Sequence, residues 1–249
     1  MVKTRPFSLL SGNVLKLLAA ALMVVDHVGA MFFPERILLR CIGRLSMPIF
    51  AYFIAEGCRY TRSAWGYLGK LFACLAVCQV GNYVGTGSLE VCIIGTFLLG
   101  AILLFALQNA KKAIFSQDLE KSIFWVAAFA VGLLATYYVN QVADINYGFW
   151  ACILPIFAGL SYLPENAPQH LKKWDNKWTS LLLFTVGVAI LAWMDDYTEV
   201  QIYSLLAIPV LALYSGKRGK WKIKYFFYLF YPIHLALLEG IYLLVSMYA

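Results

Sequence analysis

Charge is what this sequence lacks most. Only 13% of its 249 residues are charged, while 62% are hydrophobic and the mean hydropathy is +0.73. Soluble domains carry roughly twice that share of charge. A disordered chain needs the opposite balance and is excluded. Acidic residues are fewer than basic ones, 13 against 20, giving a net charge of +7. Such a surplus can mark a nucleic-acid binder. Here the basic residues collect in joints between apolar runs, so no nucleic-acid partner is expected. Histidine occurs three times, at His27, His170 and His234, far apart and with no second ligand type at i+3 or i+4. No metal site is expected from that spacing. There are six cysteines but no Cys-x-x-Cys pair. Cys41, Cys58, Cys74, Cys78, Cys92 and Cys152 lie in or beside apolar runs and read as small packing residues rather than a disulfide framework. No internal repeat or low-complexity stretch occurs. The longest polar joint, Pro164 to Thr179, is too short to fold alone. A single membrane domain over 1–249 is therefore expected. Met1–Arg5 is basic, but the apolar run after it lacks a cleavage site, so the first span is expected to stay as a signal anchor.

What is present is apolar length. A helix needs roughly 20 apolar residues to cross a bilayer. Nine runs qualify as candidates, at about 13–33, 37–56, 66–84, 91–109, 122–140, 146–163, 179–195, 197–214 and 225–248. The expected fold class is all-α, a polytopic transmembrane helical bundle of nine spans. The joints alternate in charge. Lys3, Arg5 and Lys16 precede or open the first span. Arg59, Arg62 and Lys70 mark the second joint, Lys111, Lys112 and Lys121 the fourth, Lys172, Lys173 and Lys177 the sixth, and Lys217 to Lys224 the eighth. The odd joints carry Glu35 with Arg36, then Glu90, Asp144, and Asp195, Asp196 and Glu199. Basic loops stay in the cytoplasm, so the N-terminus is expected inside and the C-terminus outside a cytoplasmic (inner) membrane.

Ionisable side chains inside an apolar span are costly and usually functional. Span one carries Asp26 and His27, span two Arg40, Arg44 and Glu56, and span nine His234 and Glu239. His27 is the side chain best suited to exchange a proton near neutral pH. Neighbouring residues on a helix point about 100° apart, so Asp26 need not touch His27. It can pair with Arg44 or Arg40, both in the outer half of span two. The turn at Pro34–Arg36 packs spans one and two side by side. His27 lies six residues before that turn and Arg44 eight after it, so their depths differ by only about 3 Å. Arg59 and Arg62, and the turn Ser215-Gly216-Lys217-Arg218-Gly219-Lys220, suit phosphate but equally suit anionic lipid. Pro232 sits two residues before His234 and loosens the helix there. The joint Asp144 to Gly148 either caps a cavity or meets the membrane interface.

Several of these segments resemble one family. They are Lys16-Leu17-Leu18 through Asp26-His27-Val28-Gly29, the block Ile42-Gly43-Arg44-Leu45-Ser46-Met47-Pro48 through Ala55-Glu56-Gly57, Asp144 to Gly148, Leu213 to Gly219, and the closing Tyr225 to Leu235 with Tyr231-Pro232-Ile233-His234. Together they resemble the TraX family of integral membrane proteins, associated with N-acetylation of pilin. That family is in turn similar to membrane acyltransferases that take acyl-coenzyme A and carry a membrane histidine. The resemblance implies a membrane-embedded acetyltransferase. It would move an acetyl group from cytoplasmic acetyl-coenzyme A to an amine or hydroxyl of a membrane or extracytoplasmic acceptor, a pilin-like protein or an envelope glycan. Arg59, Arg62, Lys217 and Arg218 would hold the donor's phosphates, with His234 also on the donor side. The pantetheine arm, roughly 15–20 Å long, would carry the thioester inward. His27 would act as base or as acyl carrier, and Arg44 would orient the site or stabilise the oxyanion. Asp26 or Glu56 would set the His27 tautomer or balance Arg44. The alternative is a proton-coupled transporter relaying protons through Asp26, Arg44, Glu56 and His234, a reading that the missing repeat disfavours.

Overall fold

Seven stretches of the chain combine helical length with enough apolar residues to cross a bilayer. They are seen in a computed structural model that describes residues 9–194, 198–221 and 223–248. The expected basic N-terminal residues Met1–Arg5, the acidic pair Asp195 and Asp196 with Tyr197, and Lys222 lie outside the described residues. The helices in chain order are α1 (Gly12–Phe32), α2 (Ile37–Gly43), α3 (Ser46–Tyr60), α4 (Ala64–Thr86), α5 (Ile93–Phe115), α6 (Leu119–Val142), α7 (Gly148–Gly159), α8 (Gln169–Lys172), α9 (Lys177–Met194), α10 (Thr198–Gln201), α11 (Ala207–Ala212) and α12 (Lys224–Tyr248). A 3-10 turn, Ile202–Leu206, joins α10 to α11. No strand occurs among the described residues, only two isolated bridges. The chain is thus an all-α, multi-pass membrane protein. Each of the nine expected spans corresponds to a helical stretch. The stretches Gly148–Gly159 and Glu199–Ala212 are shorter than a full crossing.

Helix starts follow side-chain capping. Ser11 accepts from Val14 N at the head of α1, Asp118 from Lys121 N at α6, and Asn176 from Trp178 N and Thr179 N at α9. Such oxygens satisfy amide groups that the first helical turn leaves unpaired.

The chain divides into two compact units. One comprises Met1–Phe50, Ala76–Ser88 and Ala192–Ala249, the other Ala51–Leu75 and Leu89–Leu191. In the first unit, α1 and α12 run in parallel. Lys16 lies over the Phe227 ring, His27 meets His234, and Phe32 meets Tyr242, so both numberings rise together. The α2–α3 stretch runs back along α1, with Arg40 on Asp26 and Ser46 Oγ donating to the Ala19 carbonyl at 2.7 Å. A Cβ at Gly43 would collide with Asp26, so the missing side chain sets the close approach of α1 and α2. The α10–α11 stretch begins against α2 and ends where Leu9 and Leu10 donate to the Leu213 carbonyl. With its 3-10 turn it covers about 25 Å, most of the length of α1.

In the second unit, α7 is tied to both ends of α5. Val91 N donates to the Asp144 carbonyl at 2.7 Å, Asn146 N to the Val91 carbonyl at 3.0 Å, and Thr96 Oγ1 to the Asn146 carbonyl at 2.8 Å. Tyr147 and Gly148 turn the chain with positive φ, 62° and 66°. The acidic joint Asp144–Gly148 is therefore strapped to the start of α5. At the far end, Lys111 Nζ donates to the carbonyls of Gly159, Leu160 and Tyr162 at 3.0, 2.8 and 3.0 Å. These are carbonyls that the end of α7 leaves unpaired, and a lysine ammonium has three donors to match them. Thus α7 and its flanks accompany α5 over about 27 Å, from Ile93 to Lys111. Within the units, α1 and α12 run parallel, as do α5 and α7, while α1 is antiparallel to α2 and to the α10–α11 stretch.

Candidate functional site

The site is built on α1. His27 lies fifteen residues from Gly12, so about 22 Å along the helix. Its Nδ1 stands 3.2 Å from Nε2 of His234, and the ring centroids are 5.1 Å apart. His234 is buried, at 6% exposure, within α12. Its Nδ1 is 2.9 Å from the Phe230 carbonyl one turn earlier, and the Phe230 ring stacks on it at 4.9 Å and 7°. Tyr231 meets the same imidazole edge-on at 5.5 Å. His234, expected with the donor-binding residues, is thus seated on His27.

Asp26 points away from this pair and holds α2. Arg40 Nη1 donates to Asp26 Oδ2 at 2.7 Å and to the Asp26 carbonyl at 3.2 Å. Of the two partners open from sequence, Arg40 forms the ion pair. Arg44 is buried at the end of α2, where its N–H donates to the Arg40 carbonyl. Its guanidinium lies within electrostatic range of both Asp26 and His27. The structure therefore brings Asp26, His27, Arg40, Arg44 and His234 into one cluster, with Asp26, Arg44 and His234 buried and His27 and Arg40 half-buried. Nδ1 of His27 faces His234 rather than a carboxylate, and the ring also has a hydrogen bond with the Met23 carbonyl one turn earlier on α1. The other Asp26 oxygen, Oδ1, is buried without a hydrogen-bond partner among the described residues.

The turn from Ser215 to Lys220 wraps the N-terminus of α1. Gly12 N donates to the Lys217 carbonyl at 2.8 Å, Asn13 N to the Arg218 carbonyl at 2.9 Å, and Asn13 Nδ2 to the Trp221 carbonyl at 2.6 Å. Gly216 and Gly219 take φ of 71° and 98°, which favours glycine. The backbone of this turn is spent on capping α1, while the Lys217 and Arg218 side chains are exposed. They mark the end of α1 opposite His27.

Glu56, Arg59 and Arg62 belong to the second unit. Glu56 is buried on α3, where Tyr162 O–H donates to its Oε1 at 3.1 Å. Tyr162 follows the end of α7 and is itself buried. Arg59 Nη2 pairs with Asp175 Oδ1 at 2.8 Å and lies 4.5 Å from the Tyr162 ring. Arg62 is exposed. Arg59 is thus held by a carboxylate in the lysine-rich sixth joint, and Arg62, Lys217 and Arg218 present their side chains to solvent.

Sequence reasoning passed over Tyr162, Asp175, Lys111, Gln201 and Ser204. Asp175 in Lys172-Lys173-Trp174-Asp175 is a lone acid in a basic joint, a signal for an ion pair that was readable. Gln201 and Ser204 are fully buried where α10 passes into the 3-10 turn. The Gln201 amide atoms and the Ser204 hydroxyl have no hydrogen-bond partner among the described residues. Each such group costs about 1–3 kcal/mol. No group of three or more His, Cys, Asp or Glu that could hold a metal ion occurs among the described residues. None of the six cysteines forms a disulfide among the described residues, and all but the half-buried Cys92 are buried.

These features define a multi-pass helical membrane protein with a hydrogen-bonded imidazole pair beside an arginine–aspartate pair. Within that class the chain belongs to the TraX family, whose model, described as "TraX protein", matches residues 11–242. It is similar to a protein of Dichelobacter nodosus named "Probable fimbrial assembly protein FimC, serogroup H1". The two are 27% identical over 241 residues, covering 90% of this chain and 92% of that one. An uncharacterised protein of Rickettsia prowazekii (strain Madrid E) is 44% identical over 41 residues, 16% of each chain. No solved structure matches.

Proposed function

We propose that this chain is an acyl-coenzyme A-dependent acetyltransferase of the cytoplasmic membrane. The observation that carries the reading is the His27–His234 pair. It is a hydrogen-bonded imidazole couple inside an apolar helix pair, with two arginines close by, where an inert packing role would call for apolar residues. The donor approaches the end of α1 marked by Lys217 and Arg218, whose charges suit phosphates. The roughly 22 Å from the head of α1 to His27 is close to the reach of a pantetheine arm. An acceptor amine or hydroxyl attacks the thioester carbonyl and passes its proton to His27. The carbon–sulfur bond breaks and the thiolate leaves with coenzyme A. Arg44 faces the negative charge that develops on the carbonyl oxygen. Arg59 is occupied by Asp175, so it serves the donor only if that pair exchanges. The name of the Dichelobacter nodosus relative favours a fimbrial or pilin-like acceptor on the outer side.

The test compares envelope proteins and glycans from strains with and without the gene by mass spectrometry, with acetyl-coenzyme A binding measured on the purified protein. Acetylation that disappears with the gene, and falls about 100-fold in His27→Ala while donor binding persists, is the expected result. A His27→Ala variant that is stable and transfers at the wild-type rate rules out His27 as the base.

A further inference from the structure

The hydrogen bonds around the imidazole pair have a direction, and the direction follows from what each acceptor can do. Phe230 offers a carbonyl, which only accepts. The proton between it and His234 therefore sits on His234 Nδ1. A neutral imidazole has one N–H and one lone pair, so His234 Nε2 presents its lone pair. That lone pair faces His27 Nδ1 at 3.2 Å. With both rings neutral, the bond forms only if His27 Nδ1 carries its proton, and the Met23 carbonyl one turn earlier on α1, which also bonds to the His27 ring, is a second acceptor beside it. The basic lone pair of His27 is then on Nε2, the nitrogen on the far edge of the ring from α12.

We propose that His234 is a positioning residue that fixes His27 in the Nδ1–H tautomer and turns its Nε2 toward the reacting groups. The relay runs from the Phe230 carbonyl through His234 to His27. It does for this membrane site what a buried carboxylate does in soluble hydrolases, holding one tautomer and one ring orientation. Three features support the assignment besides the two distances. The Phe230 ring stacks on His234 and Tyr231 abuts it, which leaves the imidazole one orientation. Asp26, the carboxylate next in sequence to His27, is engaged by Arg40. His234 lies about 15 Å along α12 from its first residue, inside the span rather than at the basic face where phosphates would bind.

When the proton of the attacking group moves to His27 Nε2, the ring becomes an imidazolium. Its Nδ1–H then points at the His234 lone pair, which accepts that bond more strongly. The positive charge is shared without breaking a bond to carbon, and the proton leaves from Nε2 to the departing thiolate. Atoms and electrons balance with the acyl thioester and the acceptor as the sole reactants.

This inference rests on the acyltransferase reading for its kinetic arm but not for its structural arm. The structural arm is nitrogen NMR on the full-length protein labelled at histidine and held in lipid nanodiscs. The expected spectrum shows His27 protonated at Nδ1 and bare at Nε2, with a coupling across the hydrogen bond to His234 Nε2. A His27 ring protonated at Nε2 overturns the proposal in the wild-type protein, with no variant needed. In the kinetic arm, His234→Leu should lower kcat about 10-fold or more while KM for the acyl-coenzyme A donor stays within twofold. His234→Gln should recover most of that loss, because its amide oxygen can take the place of the imidazole Nε2. Equal kcat in Leu and Gln variants, or a change confined to KM, would mean that His234 only packs or binds donor, and would overturn the positioning role. If wild-type protein transfers no acyl group at all, the enzymatic reading fails, and the NMR arm still decides the relay.

Discussion

The ion pair between Asp26 and Arg40 should be a structural clamp whose two halves depend on each other. The N–O distance is 2.7 Å, and the side chains are only 10% and 26% exposed. Removing one partner of a buried pair costs about 3–5 kcal/mol, mostly because the other charge is left uncompensated. Arg40 keeps some exposure, so the lower end applies. Arg40→Met should cost about 3 kcal/mol, leaving a carboxylate whose Oδ1 already has no hydrogen-bond partner among the described residues. Asp26→Asn should cost somewhat less, since Arg40 keeps its bond to the Asp26 carbonyl at 3.2 Å. The double variant should lose much less than the sum, with a coupling energy of about 2 kcal/mol. Unfolding of the four proteins in mixed detergent micelles, followed by circular dichroism, gives the cycle. Additivity within about 0.5 kcal/mol would refute the clamp and return Asp26 to the chemistry of His27. The transfer rate of the double variant adds a second readout, because restored stability with lost turnover would assign the Asp26 charge a part in the reaction.

Two further outcomes are expected. Lys111→Met removes the three bonds to the Gly159, Leu160 and Tyr162 carbonyls and should destabilise the protein by about 3 kcal/mol; an unchanged thermal midpoint in nanodiscs would show that water or lipid already serves those carbonyls. If α7 crosses the bilayer beside α5, single cysteines replacing Asp144 and Asn166 in a cysteine-free background should label from opposite sides with an impermeant maleimide, Asp144 from outside and Asn166 from the cytoplasm. Labelling from one side would make α7 a re-entrant helix and remove a crossing.

Much of this fold is legible in the sequence because a bilayer punishes error. Apolar length locates the long helical stretches, though not the short α8 inside the polar joint Pro164 to Thr179, and it follows from solvation alone. The two short stretches are harder. Val91 to Asn146 and Lys111 to Tyr162 join residues about fifty apart, and no periodicity announces such straps. The site divides in the same way. Asp26, His27, Arg44 and His234 are visible because ionisable groups stand out in apolar runs. Their pairing is not visible, since it depends on helix rotation. Depth along α1 and α2 allowed either arginine to reach Asp26, and the close approach at Gly43 comes with Arg40 as the partner.

The pairing of His27 with His234 lies furthest beyond sequence, because 207 residues separate the two and α1 and α12 are the first and last helices of the chain. Yet the direction of the relay rests on a local fact, the i−4 carbonyl of Phe230, which any helical histidine with a suitable rotamer can reach. A helix turn thus fixes one proton, that proton fixes the lone pair opposite, and the contact of the first and last helices passes the choice to His27. The chemistry proposed for His27 is in this sense a property of the α1–α12 contact. A chain lacking α12 would keep His27, its neighbours Asp26 and Arg40 and the Met23 carbonyl, but it would lose the lone pair of His234 that faces His27 Nδ1.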